Sequence, residues 1–266
     1  MTEHARPEQT RPEGDAEWYD ALNPWGPDND FYLGLARAAD AVLDVGCGTG
    51  TLLHRAREAG HTGRLCGLDP DPAMLRRARR RADLDIEWIL ADAAAADAPE
   101  VAGSGPGAGF DLVVMTGHAF QCLIGDAELR AALAAIHSAL RDGGRFAFET
   151  RNPLVRPWER WTPDRAVEVA RPDGRRARVA HQVELPVVGD VVRFTETFDG
   201  PGWAAPRVDR AALRFLDAAA VSGRLAEAGL AVEAQYGDWD RRPCTPGAPE
   251  IITLARRPVG SERPGA

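Results

Sequence analysis

A glycine-rich segment directly follows an apolar run in the first fifth of the chain. It contains Asp44 and the glycines Gly46, Gly48 and Gly50. Glycines at the end of a strand let the backbone approach a ligand closely and adopt positive φ angles at little cost. A dinucleotide site has the spacing G-x-G-x-x-G, whereas here Thr51 stands where the third glycine would be. Because a carboxylate repels pyrophosphate and attracts a cation, this segment favours a positively charged ligand.

Two further aspartates follow the next two apolar runs. Asp69 ends the run that begins at Leu65, and Asp92 follows the run that ends at Leu90. One carboxylate can accept hydrogen bonds from both hydroxyls of a ribose, and a second can accept from an adenine amino group. Asp69 alone does not distinguish NAD from other ligands that contain adenosine, because NAD enzymes also bind a ribose through an acidic residue. Together with Asp44, the two residues predict a cationic ligand that contains adenosine.

Apolar runs alternate with amphipathic segments between residues 41 and 150. We predict strands over 41–45, 65–68, 86–90, 110–115 and 145–149, and helices over 51–59, 71–82 and 126–140. Strands separated by helices of this length form βαβ units and therefore a parallel sheet. The predicted fold class is α/β, with a Rossmann-like, mostly parallel sheet and helices on both faces. The carboxyl ends of its strands open onto a crevice, so the three aspartates lie at one edge.

The pattern changes after residue 150, where valine-rich runs are separated by turn residues. The runs over 166–170, 178–185 and 191–198 predict an antiparallel β meander, inserted as a cap over the substrate. The α/β pattern resumes with a helix over 216–228 and strands over 230–236 and 251–255. The predicted organisation is a disordered tail (1–14), a helical lid interrupted near Pro24 (15–40), a ligand-binding core (41–150), the insert (151–211), the completion of the core (212–257) and a tail (258–266).

Five motifs in this order resemble those of class I S-adenosylmethionine-dependent methyltransferases, in particular small-molecule enzymes of the methyltransferase domain 25 type. They are VLDVGCGTG at 42–50, GLDPDPAML at 67–75, ADA at 91–93, FDLVV at 110–114 and LRDGGR at 140–145. The last one usually has proline where this chain has Asp142. The resemblance implies a seven-stranded sheet whose last strand is antiparallel, with S-adenosylmethionine as cofactor and S-adenosylhomocysteine as product. It also implies methyl transfer to a small organic acceptor, which we expect to belong to bacterial secondary metabolism.

The same resemblance assigns cofactor contacts to individual positions of this chain. The residues around the methionine portion and the sulfonium would be Asp44, Gly46, Cys47, Gly48, Gly50, Thr116 and Gly117. Those around the ribose and the adenine would be Asp69, Pro70, Met74, Leu75, Asp92 and Ala93. Tyr19 and Trp25, in the N-terminal lid, would close over the cofactor.

Three side chains are candidates for accepting a proton from the substrate. His118 follows the fourth strand, Glu149 ends the fifth strand, and His181 lies in the meander. A neutral imidazole can deprotonate a hydroxyl, an amine or a carbon acid. The alternative for His118 is a loop histidine that only packs or binds the backbone. The residues expected to contact the acceptor are Phe120, Gln121, Arg151, Tyr236 and Trp239.

Composition narrows the possible chemistry further. The chain contains no lysine, which excludes Schiff-base catalysis, pyridoxal phosphate attachment and a P-loop. The net charge of −8 argues against nucleic acid as a partner. The four cysteines are scattered without a CxxC pair, so neither a metal site nor a disulfide framework is predicted. Short apolar runs and a polar start predict a cytoplasmic protein without membrane contact, either a monomer or a homodimer.

Three other functions remain open from the sequence. The first is a related enzyme that uses the same cofactor for a different reaction, such as a cyclisation. The second is a Rossmann-type NAD oxidoreductase, against which the glycine spacing and Asp44 both argue. The third is a cofactor-binding module without catalytic activity that regulates a partner.

Overall fold

The computed structural model describes residues 15–105, 107–201 and 203–260. Side chains at positions 15 and 17 are not described. The tail predicted over residues 1–14 lies outside the described residues, as do positions 261–266 of the second predicted tail.

The strands form two separate sheets. The first five strands are β1 (Ala41–Val45), β2 (Arg64–Asp69), β3 (Glu87–Leu90), β4 (Phe110–Met115) and β5 (Leu140–Arg151). The next four are β6 (Val167–Ala170), β7 (Arg176–Val183), β8 (Val191–Asp199) and β9 (Arg207–Arg214), and the last two are β10 (Ala231–Tyr236) and β11 (Glu250–Arg256). The large sheet has the order β10-β11-β5-β4-β1-β2-β3, and the small one has the order β6-β7-β8-β9. Strand β11 is antiparallel to both of its neighbours, which confirms the seven-stranded, mostly parallel sheet.

Seven α-helices within the described residues connect and cover these strands. They are α1 (Asp15–Leu22), α2 (Pro27–Ala36), α3 (Thr51–Glu58), α4 (Pro72–Ala78), α5 (Pro99–Ala102), α6 (Asp126–Ala139) and α7 (Ala218–Glu227). Helix α4 starts as its sequence predicts, because the Asp71 carboxylate accepts a hydrogen bond from the Ala73 N–H at 2.7 Å. It ends at Ala78, four residues before the predicted end, and the arginine-rich segment continues as turns.

The core consists of two apolar layers, one on each face of the large sheet. All five residues of β1 are buried, as expected for a parallel strand covered on both faces. Leu43 packs in the layer that contains α6 and α7, whereas Val42 packs in the layer that contains α2 and α3. The large sheet is therefore a rigid platform whose strand ends can hold a site.

The small sheet, called the cap sheet below, has one strand more than predicted. Strand β9 extends to Arg214, three residues beyond the predicted end of the insert. The sequence of β9 does not indicate a strand, because charged residues and alanines stand where β-branched residues would be expected. Trp18 of α1 packs against Val179 and Phe198 of the cap sheet, so the N-terminal segment and the cap sheet are in contact.

Strand β5 is also longer than predicted. It begins at Leu140, five residues before the predicted start, where the sequence indicates a tight turn. The N–H of Gly143 donates to the Arg257 carbonyl at 2.9 Å, and the N–H of Arg257 donates to the Gly144 carbonyl at 2.9 Å. This pairing continues β5 through the glycine pair, in which Gly143 has a φ angle of +79°. Within the described ranges, no helix is both long enough and apolar enough to cross a membrane.

Candidate active site

The glycine-rich segment forms a tight turn between β1 and α3. Gly46, Gly48 and Gly50 have φ angles of +77°, +55° and +78°, which side chains rarely allow. A Cβ atom at Gly50 would lie 2.3 Å from the Trp88 ring, and one at Gly46 would lie 3.0 Å from the Ala119 Cβ. The glycines are therefore required both by the backbone angles and by close neighbours on β3 and after β4.

The N–H groups of this turn are largely used within the protein. Gly46 donates to the Leu68 carbonyl at 2.7 Å, and Gly48 donates to the Asp69 carboxylate at 2.8 Å. Gly50 donates to the carbonyl of Cys47 at 2.9 Å. A pyrophosphate site needs such N–H groups to be directed at the phosphate oxygens. The turn therefore does not suit a dinucleotide, which counts against the NAD oxidoreductase.

Asp44 and Asp69 place two carboxylates beside the turn. Asp44 is 1% exposed, and its Oδ1 has no hydrogen-bond partner among the described residues. Burial, followed by repulsion from Asp69 and Glu149, raises the pKa of Asp44 to about 8. A buried carboxylate without a partner is costly unless a cation or a donor reaches it. The amino group and the sulfonium of S-adenosylmethionine would supply both, so the residues present fit this cofactor.

Asp69 is 7% exposed and accepts N–H bonds from Gly48 and from Asp71, each at 2.8 Å. Each carboxylate oxygen has two lone pairs, so both oxygens can also accept from ribose hydroxyls. Its neighbour Pro70 is exposed. The predicted ribose role of Asp69 is compatible with this geometry and stays a prediction.

Helix α1 lies over the glycine turn. The Tyr19 ring is next to Gly48, where an added Cβ would be 3.5 Å away, and its hydroxyl is next to Gly117, where an added Cβ would be 3.2 Å away. Asp20 accepts from the Thr49 hydroxyl at 2.6 Å and from Arg77 at 2.7 Å. Asp20, which no sequence motif indicates, therefore connects the lid helix to the turn and to α4.

Trp25 lies in a different environment from Tyr19. Its indole N–H donates to Asp30 at 2.7 Å, and the guanidinium of Arg55 lies 5.4 Å from its ring centre. The contacts described for Trp25 are therefore with α2 and α3, not with the glycine turn. Its role at the cofactor stays a prediction.

The residues predicted to bind adenine lie at the ends of β2 and β3. Met74 is buried against Ala16 and Ala73, so α1 and α4 pack around it. Asp92 is exposed and accepts from the Ala94 N–H at 3.0 Å, which places Asp92 at the start of a short 3₁₀ helix over Ala93–Ala95. Leu75 is fully buried. Its predicted contact with adenine stays a prediction, as does that of Asp92, whose carboxylate is accessible.

Glu149 lies deep at the end of β5 and is only 1% exposed. One carboxylate oxygen accepts from the Tyr32 hydroxyl, and the other accepts from the backbone N–H of His118 at 2.6 Å. Burial raises the pKa of Glu149, although His118 and Tyr32 oppose the shift. With both oxygens engaged, Glu149 is placed to anchor the loop after β4 and not to face a substrate. Neither Tyr32 nor this anchoring role was apparent from the sequence.

His118 occupies the loop that Glu149 holds, and its side chain is 21% exposed. Its φ angle is +62°, an unusual conformation for a residue other than glycine. The ring nitrogen Nε2 lies 3.1 Å from Oε2 of Glu250, and Nδ1 lies 4.0 Å from Oε1 of Glu149. Uncommon backbone angles that the surroundings enforce are found most often at functional sites.

The acceptor-side residues fall into two groups. Gln121 is buried, donates to the Arg214 carbonyl at 2.9 Å and accepts from Arg151 at 3.1 Å. The Arg151 guanidinium lies 5.5 Å from the ring centre of Trp161, and that ring is 6.3 Å from the His181 ring. This series of contacts connects the end of β5 to the cap sheet.

The remaining predicted acceptor residues pack elsewhere. Phe120 is buried in the core and stacks on Phe148 with ring centres 4.2 Å apart, and its contact with the acceptor stays a prediction. Tyr236 and Trp239 pack edge-on against Phe31 of α2. Their role at the acceptor stays a prediction.

Two other predictions concern reactive groups. Cys47 is buried, and burial raises the pKa of its thiol well above the usual value, which disfavours the nucleophilic thiolate. Over the part of the chain that the structure describes, no three His, Cys, Asp or Glu side chains are grouped as a metal site requires.

Comparisons with known proteins agree with this geometry. The sequence model of the family described as "Methyltransferase domain" matches residues 42–144. Malonyl-[acyl-carrier protein] O-methyltransferase of Hahella chejuensis is 36% identical over 110 residues, which cover 41% of this chain and 36% of that protein. The dTDP-3-amino-3,4,6-trideoxy-alpha-D-glucopyranose N,N-dimethyltransferase of Streptomyces venezuelae is 34% identical over 173 residues, covering 62% of this chain and 64% of that protein. The alignments thus span less than two thirds of either relative.

The fold is similar to that of solved methyltransferase structures. An S-adenosylmethionine-dependent methyltransferase from Clostridium acetobutylicum superposes with a TM-score of 0.70 at 16% identity. The superposition covers 91% of this chain and 97% of that one, so it includes the cap sheet region as well as the core. The family match, the strand order and the residues around the glycine turn together identify a methyltransferase domain over residues 42–144, with the fold of S-adenosylmethionine-dependent methyltransferases.

Proposed function

We propose that this protein transfers a methyl group from S-adenosylmethionine to a small organic acceptor bound between the glycine turn and the cap sheet. The observation that carries the proposal is the buried Asp44 carboxylate with its unpartnered oxygen, one strand away from the loop that holds His118. A cation-binding group and a potential proton acceptor thus lie at the same edge of the sheet. The first holds the positively charged cofactor, and the second is needed when the nucleophile starts protonated.

The bound cofactor supplies a methyl group that is already activated by the positive sulfur. The protein mainly has to align the acceptor with that methyl group, which is catalysis by proximity and orientation. Asp44 and the glycine turn hold the methionine end, and Asp69 holds the ribose. Tyr19, next to Gly48 and Gly117, covers the turn and excludes water. His118 takes the proton that the acceptor loses.

An amine is the acceptor that the charges favour. Glu149 and Glu250 flank His118, and Glu196 pairs with His181 at 3.1 Å on the cap sheet. These three carboxylates outnumber the Arg151 guanidinium, which interacts with Glu149 and Glu250, and the excess of negative charge attracts a protonated amine and disfavours an anion. One relative is named as an N,N-dimethyltransferase of an amino sugar, which supports an amine of this kind. A place in bacterial secondary metabolism belongs to the same proposal. The same proposal includes a cytoplasmic location, a monomeric or homodimeric state, and the absence of nucleic-acid and membrane partners.

The test is turnover of S-adenosylmethionine with a panel of small amines, amino sugars and hydroxyl compounds. The readouts are release of S-adenosylhomocysteine and the product mass. We expect a product heavier by one methylene unit, and a loss of about 10²–10⁴-fold in kcat for His118→Ala. His54→Ala is the matched control, because His54 is a half-buried histidine whose ring contacts Ala78 and Trp88.

Three results would contradict parts of this proposal. A product mass without the added methylene would favour a cyclisation. Cofactor binding without release of S-adenosylhomocysteine for any acceptor would favour a regulatory binding module. Full turnover by His118→Ala would remove His118 from proton transfer and leave alignment alone as the source of catalysis.

A further inference from the structure

Glu250 occupies a position that neither the motifs nor the predicted site includes. It is the first residue of β11 and pairs with Arg151 of β5 in the backbone register. Its side chain is 16% exposed, and its Oε2 lies 3.1 Å from Nε2 of His118. The two side chains come from elements 132 residues apart in sequence, so only the antiparallel last strand of the sheet brings them together.

The backbone of His118 is held independently of its ring. Its N–H donates to Glu149 at 2.6 Å, and Glu149 in turn accepts from the Tyr32 hydroxyl. The φ angle of this anchored residue is +62°, a conformation that histidine rarely adopts. Glu149 therefore fixes the backbone from which the His118 ring projects, and the contact with Glu250 fixes the orientation of the ring.

We propose that Glu250 is a positioning residue that holds the His118 ring with a proton on Nε2 and a lone pair on Nδ1. An ionised carboxylate can only accept a hydrogen bond, so Nε2 has to be the donor in this contact. In a neutral ring the other nitrogen then carries the lone pair. Nδ1 is 4.0 Å from the nearest Glu149 oxygen, beyond hydrogen-bond distance, so its lone pair is available to the acceptor.

The arrangement also accounts for the charge that forms during the reaction. This inference rests on the proposed methyl transfer. The acceptor's N–H or O–H bond first breaks and its hydrogen bonds to Nδ1 of His118, which leaves the electron pair on the acceptor atom. That atom then bonds to the methyl carbon as the bond from this carbon to sulfur breaks. The resulting imidazolium lies between the carboxylates of Glu149 and Glu250, which stabilise its positive charge.

The direct test is the tautomer of His118, which requires neither an acceptor nor the cofactor. Full-length protein labelled with ¹⁵N-histidine is measured by long-range ¹H–¹⁵N NMR at alkaline pH, where histidine rings are neutral. The His118 signals are identified by their absence from His118→Gln. We expect the Nε2–H form in the wild type, and a mixture of both tautomers in Glu250→Ala. Glu250→Gln retains an acceptor oxygen and should keep the Nε2–H form.

The matched control is Glu233→Gln, which removes a carboxylate from β10 of the same sheet. Glu233 pairs with Arg145 and Arg256 at the other end of the strands, so the variant should retain the wild-type tautomer. An unchanged tautomer in Glu250→Ala, or the Nδ1–H form in the wild type, would overturn the inference. Because alanine could disturb the start of β11, Glu250→Gln is the second variant, and its circular dichroism should match that of the wild type.

Kinetics separate this inference from the proposed function. With an acceptor that turns over, Glu250→Ala should lower kcat by at least about 10-fold and leave KM for S-adenosylmethionine within about 2-fold. A general base contributes about 10²-fold or more, and a residue that only orients the base controls a part of that contribution. Glu250→Gln should give an intermediate kcat, since it keeps the orientation but not the charge. Wild-type kcat in Glu250→Ala would refute the positioning role. If no acceptor reacts, the proposed function fails, and the tautomer still decides the role of Glu250.

Discussion

Replacing Gly50 by alanine tests whether the glycine turn is constrained by the residues that pack on it. The substitution has two costs that the structure separates. At a φ angle of +78° an alanine has to adopt the left-handed backbone conformation, which costs about 1–2 kcal/mol. Its Cβ would also lie 2.3 Å from the Trp88 ring, and forced displacement in a packed region costs about 1–3 kcal/mol.

Gly60 provides a matched control for the first of these costs. Its φ angle is +89°, and an added Cβ would meet no atom within 4 Å. Gly60→Ala therefore carries the backbone cost alone, about 1–2 kcal/mol. The loss of unfolded-state entropy on replacing glycine by alanine is the same in both variants and cancels in their comparison. The difference between Gly50→Ala and Gly60→Ala isolates the contact with Trp88.

Urea unfolding followed by tryptophan fluorescence and circular dichroism measures both variants. We expect Gly50→Ala to lose about 2–5 kcal/mol in the free energy of unfolding, roughly 1–3 kcal/mol more than Gly60→Ala. Adding Trp88→Leu, which shortens the side chain above the turn, should reduce the excess in a double-mutant cycle. If the two glycine variants are equally destabilised, Trp88 does not constrain the turn, and its ring does not pack closely on Gly50.

Two further perturbations address the buried charges. Because the pKa of Asp44 is raised from 3.8 to about 8, the native state keeps a proton that the unfolded chain releases, so stability without cofactor falls as pH rises between these values. Asp44→Asn should flatten that fall in urea unfolding at several pH values, and an unchanged slope would contradict the assignment. Tyr32→Phe should cost about 1–3 kcal/mol, because it leaves a buried Glu149 oxygen without its donor. Tyr236→Phe is the control, since its hydroxyl has no described partner, and an equal loss in both variants would refute the Tyr32–Glu149 bond as a source of stability.

The sequence predicts the large sheet well because local and ligand-binding signals coincide there. Buried apolar runs carry an aspartate at or next to their end, Asp44 and Asp69, and the helix after Asp69 starts with the recognisable pair of Asp71 and Pro72. The spacing of Gly46, Gly48 and Gly50 correctly predicts a turn with positive φ angles. Binary pattern, turn residues and motif order all favour the same structure, which is when such predictions succeed.

The side chains around His118 could not be predicted because they come together only through the tertiary fold. Tyr32 lies in a helix that precedes the first strand, and Glu250 begins the last strand. Their residue types are unremarkable in the sequence, and no local spacing relates them to Glu149. Strand β9 was missed for a different reason, since its exposed and half-buried positions carry arginine and alanine instead of β-branched residues.

The central claim is that the glycine turn and its two carboxylates bind S-adenosylmethionine. Calorimetric titration of the purified protein with S-adenosylmethionine, S-adenosylhomocysteine and NAD tests it most directly, with Asp69→Ala beside the exposed control Asp83→Ala. We predict that both sulfur-containing ligands bind to the wild type and to Asp83→Ala, that NAD does not bind, and that Asp69→Ala loses binding. Binding of NAD alone, or undiminished affinity of Asp69→Ala for S-adenosylmethionine, would contradict the account.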